Sequence, residues 1–264
     1  MTTALDRIIE YKREEVKALR ASAPMSELLA KAKANGTPRD FCGRLNAVVS
    51  GGTNALICEI KRKSPSAGLI KDLKNPVHTA KAYEDGGAAC LSVLTDGPSF
   101  GGSLKDLVEV RKSVTIPVLR KDFMIDPSQI LEARIYNADA ILIIMAAVDD
   151  VLAKELHDTA TEFGMSVLLE AHNKEELERA LNVSSPLVGI NNRDLKRMIT
   201  DLATTETLAS MVPSNRLLIS ESGIKTIDDI IRLRQSGARG FLIGESLMKT
   251  DDIKNSVVSL VNAV

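Results

Sequence analysis

An acid and a lysine two residues apart, Glu59 and Lys61, follow the apolar run Ala55-Leu56-Ile57-Cys58. On an extended strand, side chains at this spacing point the same way. Ser64 and the loop amides beyond it could then hold an anion. The pattern recurs along the chain. Val118-Leu119 runs into Arg120, Lys121, Asp122 and Phe123, and Leu168-Leu169 runs into Glu170. Gly189-Ile190 runs into Asn191, Asn192, Arg193 and Asp194. Later runs end in Ser220-Glu221-Ser222-Gly223 and in Gly244-Glu245-Ser246. Lys121 beside a core is either desolvated, which lowers a lysine pKa and suits it to acid, base or Schiff-base work, or salt-bridged to Glu170 or Glu59. Glu170 suits general acid–base chemistry, or forms that same ion pair. Asn191 can orient a hydroxyl but moves no proton. Arg193 is an anion partner, or pairs with Asp194 at a rim. One ionisable strand end would carry no weight. Several on one rim are expensive to leave unpaired, and they point to function.

The chain supplies a repeating unit that can hold these residues. Strands are expected at 56–59, 89–94, 118–120, 140–144, 166–169, 187–190, 217–220 and 240–243. Helices are expected between and after them at 77–85, 103–112, 127–136, 149–163, 174–181, 204–211, 226–235 and 251–261. Several glycines stop these helices, and Asp126-Pro127 opens one of them. Strands this short and apolar belong in a parallel sheet buried on both faces. Eight βα units close a barrel, so the expected fold is α/β, a (β/α)8 TIM barrel. An open doubly wound sheet would carry a glycine fingerprint after its first strand, and Glu59 to Gly68 is not one. In a barrel, the polar residues named above fall at the C-terminal strand ends, where barrel active sites sit. Gly223 and Gly244 follow strands seven and eight, the usual place for a phosphate; each alone reads as a tight turn.

Ahead of the barrel, residues 1–50 form a helical extension without a strand. Leu5, Ile8, Ile9, Val16 and Leu19 make one apolar stripe over 4–19. Ser26 is the expected cap of a second helix at 27–33, and 41–49 reads as a third. His78 and His157 fall on helices as surface residues; His172, two past Glu170, either reaches the mouth or is structural, and the structural reading is preferred.

At 264 residues with 44% apolar content, the chain can bury a large core as a single barrel domain over 1–264. A net charge of −1 offers no global field for nucleic acid or membrane. Any anion must therefore meet a local cluster. The three cysteines, Cys42, Cys58 and Cys90, lack metal or CxxC spacing, and no His/Cys/carboxylate cluster suggests a metal. No apolar run reaches membrane length and no signal-peptide core opens the chain. The expected location is the cytoplasm.

Together, Glu59-Ile-Lys61 with Ser64-Pro65-Ser66, Leu119-Arg-Lys-Asp-Phe123, Gly189-Ile-Asn-Asn-Arg-Asp-Leu195, Ser220-Glu-Ser-Gly-Ile224 and Gly244-Glu-Ser-Leu-Met248 resemble indole-3-glycerol phosphate synthase of tryptophan biosynthesis. The resemblance covers essentially the whole chain. Met124, Ala171 and Met198 depart from the usual residues, without loss of a proton-transferring group. The resemblance implies that 1-(2-carboxyphenylamino)-1-deoxyribulose 5-phosphate closes its ring and loses CO2 and water, with no cofactor. It implies Lys121 as general acid at the ketone oxygen and Glu170 as main acid–base carboxylate. It offers Lys61 and Glu59 for further proton transfers, with Lys61 alternatively meeting the substrate carboxylate. Asn191, Glu221 and Ser222 would orient hydroxyls. Ser64, Arg193, Gly223, Gly244 and the Glu245 amide would cradle the phosphate, and Phe100 and Phe123 would flank the aromatic ring. The leader would pack over the catalytic mouth, and the working unit would be a monomer or weak homodimer. Two rivals stand beside this reading: a Schiff-base aldolase using Lys121, and a barrel that binds a phosphorylated metabolite without catalysis.

Overall fold

A computed structural model describes residues 3–194 and 197–263. Leu195, which closes one of the motifs above, lies outside them. The barrel strands are β1 (Ala55–Ile60), β2 (Cys90–Leu94), β3 (Val118–Lys121), β4 (Ala140–Ile144), β5 (Ser166–Ala171), β6 (Leu187–Asn191), β7 (Leu217–Glu221) and β8 (Gly240–Ile243). Each pairs in parallel with its sequence neighbours, and β1 pairs with both β2 and β8, so the sheet closes. The expected TIM barrel is therefore observed.

Five strands run further than their apolar stretches suggest. Lys121, Glu170, Asn191 and Glu221 are still in the ladder, because a polar side chain aimed into the mouth leaves the backbone extended and paired. Other departures are local. The expected helix at 251–261 is observed as Ile253–Val261, and a short extra helix, Glu245–Lys249, precedes it. The helix at 204–211 breaks into Ala203–Leu208 and a 3-10 turn, Ala209–Met211. A short ribbon, Lys63–Ser64 against Gly68–Leu69, and a helical turn at Gly97–Phe100 were not foreseen.

Side-chain alternation divides the core. Ile57, Leu119, Leu168, Ile219 and Leu242 fill the barrel interior. Their neighbours Leu56, Val118, Leu169, Leu218 and Phe241 pack outward against the helices. In closed barrels the interior side chains stack in layers of four from alternate strands. Ile57, Leu119, Leu168 and Ile219 form such a layer from the odd strands. Two residues along each of those strands stand Glu59, Lys121, Glu170 and Glu221. The charged residues are thus the next odd-strand layer, set directly above an apolar one.

The leader spans the barrel from end to end. Its helices are α1 (Ala4–Ser22), α2 (Met25–Ala34) and α3 (Phe41–Ser50). Thr3 and Asp6 form a capping box on α1. Pro24, not Ser26, is the cap position of α2; proline's fixed φ suits a helix entry, so the helix starts earlier and Ser26 lies within its first turn. α3 drives Phe41 and Leu45 into the interior at the N-terminal strand ends, where both are fully buried. Truncating Phe41 to alanine would cost about 3–5 kcal/mol. His78 is exposed as expected, but His157 is buried. It lies at helical spacing from Ala153 and Ala160, on the stripe facing the core. Cys58 and Cys90 are buried and free, as small core residues. Among the described residues no helix is long and apolar enough to cross a membrane.

Candidate active site

A cavity of about 640 Å³ opens at the C-terminal strand ends. Its floor is the charged layer. Lys121 Nζ lies 3.1 Å from Glu170 Oε2 and 2.8 Å from Glu221 Oε2. Lys61 Nζ lies 2.7 Å from Glu59 Oε1. All of these side chains are largely buried, so each charge depends on its neighbours.

Burial acts to lower the Lys121 pKa, as one sequence reading expected. It is overruled by Glu221, Glu170 and Glu59, which raise it well above the ordinary lysine value. The expectation of a desolvated, readily neutral amine is therefore corrected: three carboxylates in a low-dielectric floor outweigh the burial term. Burial raises Glu59 too, but Lys61 and Lys121 bring it below the usual carboxylate range. Glu170 and Glu221 share one lysine and separate. Burial pushes both up; Lys121 and His172 hold Glu170 down. Glu221 is pushed up to about 8 by burial and by the facing Glu170, against the pull of Lys121.

Two glycines make this layer possible. A Cβ on Gly189 would stand 2.2 Å from Glu221 Oε1, and one on Gly244 would stand 2.5 Å from Glu59 Oε1. Neither contact is physical, so both carboxylates occupy space that only glycine leaves open. Gly244 had been read only as a phosphate-loop or turn residue.

Above the floor the wall divides by chemistry. Phe100 and Phe123 form an apolar side, with ring centroids 6.0 Å apart and planes at 37°. Ala4, Leu5 and Ile8 of α1 join the lining. Opposite them stand Asn191, Arg193, Ser222, Gly223, Gly244 and Glu245. Asn191 Oδ1 accepts from the Arg193 amide at 3.0 Å. Arg193 Nε donates to Thr200 Oγ1 at 3.3 Å, and its Nη2 stands 4.0 Å from Glu245 Oε2. Ser222 and Gly223 both have positive φ, 67° and 84°. For serine this is a strained conformation, and the buried Asn192 braces it by donating from Nδ2 to the Ser222 carbonyl at 3.0 Å. Ser64 is buried with its hydroxyl accepting from the Ala67 amide at 3.2 Å; at this point Pro65, Ser66 and Ala67 line the cavity.

Of three supports, sequence reasoning did not single out Lys12 and Asn192, and it weighed the third, His172, only as a structural residue. Lys12 of α1 is 1% exposed and bridges Asp96 (3.0 Å), Asp122 (2.8 Å) and Glu15 (2.8 Å). Its signal was a charge at position 12 between Ile8 and Val16, within the apolar stripe. Asp122 follows Lys121 directly and also takes Arg120 and Thr95, so α1 is tied to the strand that carries Lys121. Asn192 is the second support. The third is His172, two residues beyond Glu170, with Nε2 at 3.2 Å from Glu170 Oε1.

Comparison with known proteins gives a consistent answer. A family model described as indole-3-glycerol phosphate synthase matches residues 5–260. The chain is 61% identical over 249 residues to indole-3-glycerol phosphate synthase of Hyphomonas neptunium, covering 94% of each chain. It is 48% identical over 262 residues to the synthase of Rhodospirillum rubrum, covering 99% of this chain and 100% of that one. Among solved structures, 3-hexulose-6-phosphate synthase superposes with a TM-score of 0.63 at 15% identity, over 80% of this chain and 99% of the other; that likeness speaks for the fold.

Proposed function

Since the chain belongs to the indole-3-glycerol phosphate synthase family, with the carboxy-lyase activity of tryptophan biosynthesis that this entails, we propose how the residues around the cavity divide the work of ring closure, decarboxylation and dehydration. The observation that carries the assignment is the Lys121 ammonium held between Glu170 and Glu221 on the cavity floor.

The substrate, 1-(2-carboxyphenylamino)-1-deoxyribulose 5-phosphate, has an aromatic ring, a carboxylate, a ketone, hydroxyls and a phosphate. Its ring fits the apolar side between Phe100 and Phe123. Its phosphate fits Arg193, the Ser64–Ala67 loop and the amides of Gly223, Gly244 and Glu245. The ketone then lies over Lys121. As the carboxyl-bearing ring carbon attacks the ketone carbon, the carbonyl oxygen gains charge and becomes strongly basic. An ammonium whose pKa is raised still protonates an alkoxide, and its fixed charge stabilises that alkoxide before transfer. Breaking the bond to the carboxyl group releases CO2 and restores the aromatic ring. The new hydroxyl leaves as water after gaining a proton, and the bonding pair for the new double bond comes from a C–H or N–H proton lost on the anilino side. Glu170, ionised in the resting site, is the base we assign to that loss. Lys61, paired with Glu59, meets the substrate carboxylate or supplies the acid. Glu221, whose pKa is raised, can donate to a substrate hydroxyl when protonated as well as accept from one, beside Asn191 and Ser222.

The raised Lys121 pKa also bears on the aldolase alternative, since a Schiff base requires the neutral amine and the site favours the ammonium. We take residues 1–264 as one catalytic unit in which α1 completes the mouth and helps exclude water. We place it in the cytoplasm, as a monomer or weak homodimer, since all the proposed site residues lie on one chain and the cysteines are free. Mixing the purified protein with the substrate, without added metal, should produce indole fluorescence against a low background, because the chain has no tryptophan. Substrate bound without that rise, or trapped covalently by borohydride, would overturn the assignment.

A further inference from the structure

His172 stands outside the cavity wall, yet it touches the carboxylate proposed as the base. Its ring lies between two acids from different elements. Nδ1 is 2.9 Å from Glu176 Oε2, on the helix Lys174–Leu181, and Nε2 is 3.2 Å from Glu170 Oε1. Glu176 is itself fixed: Oε2 also accepts the His172 backbone amide at 2.8 Å, and Oε1 accepts Asn173 Nδ2 at 2.7 Å. A carboxylate so placed accepts a hydrogen bond from Nδ1–H, which settles one end of the ring. The other end then faces Glu170 at ion-pair distance but outside hydrogen-bond geometry. A neutral ring would set its Nε2 lone pair against a carboxylate, so a proton must lie between the two groups.

We propose that His172 is a positioning residue for Glu170: as an imidazolium bridging Glu170 and Glu176, it keeps Glu170 ionised and turned toward Lys121. Lysine on one oxygen and imidazolium on the other fix both ends of the carboxylate, Oε2 at Lys121 and Oε1 at His172. The groups facing Glu170 are Lys121 from β3, Glu221 from β7, Glu59 from β1 and His172 at the end of β5. Without His172, two acids and one lysine remain around Glu170, and the balance tips toward its protonation. Burial opposes charge on the ring, but Glu170 and Glu176 raise His172 to about 10, consistent with a ring charged throughout the working range.

The inference rests on Glu170 being the acid–base carboxylate, and the test separates the two. The measurement is the pH dependence of kcat/KM for wild type, H172N, E176Q and E170Q, with folding checked by thermal melting. H172N should move the acidic limb upward by about one pH unit, a loss of about tenfold below the limb, with near-normal activity at high pH. E176Q, which loosens the proton on the ring without touching the cavity, should move it the same way by less. A structural role alone would lower activity equally at all pH values and leave the limb in place. An unmoved limb in folded H172N overturns the proposal; if H172N does not fold, an unmoved limb in E176Q does so. Should E170Q keep wild-type activity, the role of Glu170 fails and this inference with it. An inactive E170Q beside an unmoved limb sinks only the part assigned to His172.

Discussion

Two lysines in this molecule are buried among carboxylates, and they do different things. Lys12 lies in α1 between Asp96, Asp122 and Glu15; Lys121 lies in β3 between Glu170 and Glu221. Both have pKa values raised above the ordinary lysine range, because paired acids outweigh burial. The difference is in what surrounds the ammonium. Lys12 has three acid partners for its three N–H bonds and does not line the mouth cavity. Lys121 has two acids in hydrogen-bond contact and lines the cavity, leaving one donor for a substrate oxygen. The same buried ion-pair chemistry is a clasp where donors are saturated and, on the function proposed above, an acid where one is left over.

The largest effect expected is on the clasp. Lys12→Met removes the cation from buried Asp96, leaves buried Asp122 with Arg120 alone, and should cost about 3–5 kcal/mol of stability, read from urea unfolding. Asp122 is the most exposed to this loss in its pH behaviour. Burial raises its pKa, but Arg120 and Lys12 hold it at about 2, so its stabilisation is present above the ordinary aspartate value and disappears as pH falls toward 2. Removing Lys12 should therefore move acid unfolding to higher pH.

Next in size is Lys121→Ala, for which product fluorescence should show a rate loss of more than ~100-fold, or about 3 kcal/mol of transition-state stabilisation. Retained activity would remove the distinction between the two lysines. Gly189→Ala drives a methyl group into Glu221 and should cost about 1–3 kcal/mol, with a fall in kcat as Glu221 swings off Lys121. The smallest effect concerns Glu221 itself. Its folded pKa is raised to about 8, so its stability contribution is full below the ordinary glutamate value and is lost as pH rises through 8. Glu221→Gln lacks that loss. Its melting temperature relative to wild type should rise between pH 6 and 7, by the equivalent of at most about one kcal/mol.

The barrel itself was plain in the sequence, because eight apolar runs with glycine-stopped helices leave little else to build. So was the rim, because Glu59, Lys121, Glu170, Asn191 and Glu221 each follow such a run. What could not be read was which acid meets which lysine. Lys121 finds Glu170, as one reading held, but its shorter contact is to Glu221, 100 residues away. Neither the place of Gly189 beneath Glu221 nor that of Gly244 against Glu59 has a local signature, since pairing of β6 with β7 creates the first contact and closure of β8 onto β1 the second. Lys12 did leave a trace, as the charged position in a stripe otherwise set by Ile8 and Val16. His157 was misread for a related reason: its type suggested surface, while its helical spacing put it on the buried stripe.

The division between the two lysines is tested most directly by measuring kcat and melting temperature together in Lys12→Met and Lys121→Arg. Arginine keeps the charge and the ion pairs on the cavity floor but does not give up its proton. Lys121→Arg should melt near wild type and lose more than ~100-fold in kcat, whereas Lys12→Met should melt well below wild type and, while folded, stay within ~10-fold of its kcat. An active Lys121→Arg beside a stable, inactive Lys12→Met would contradict the account.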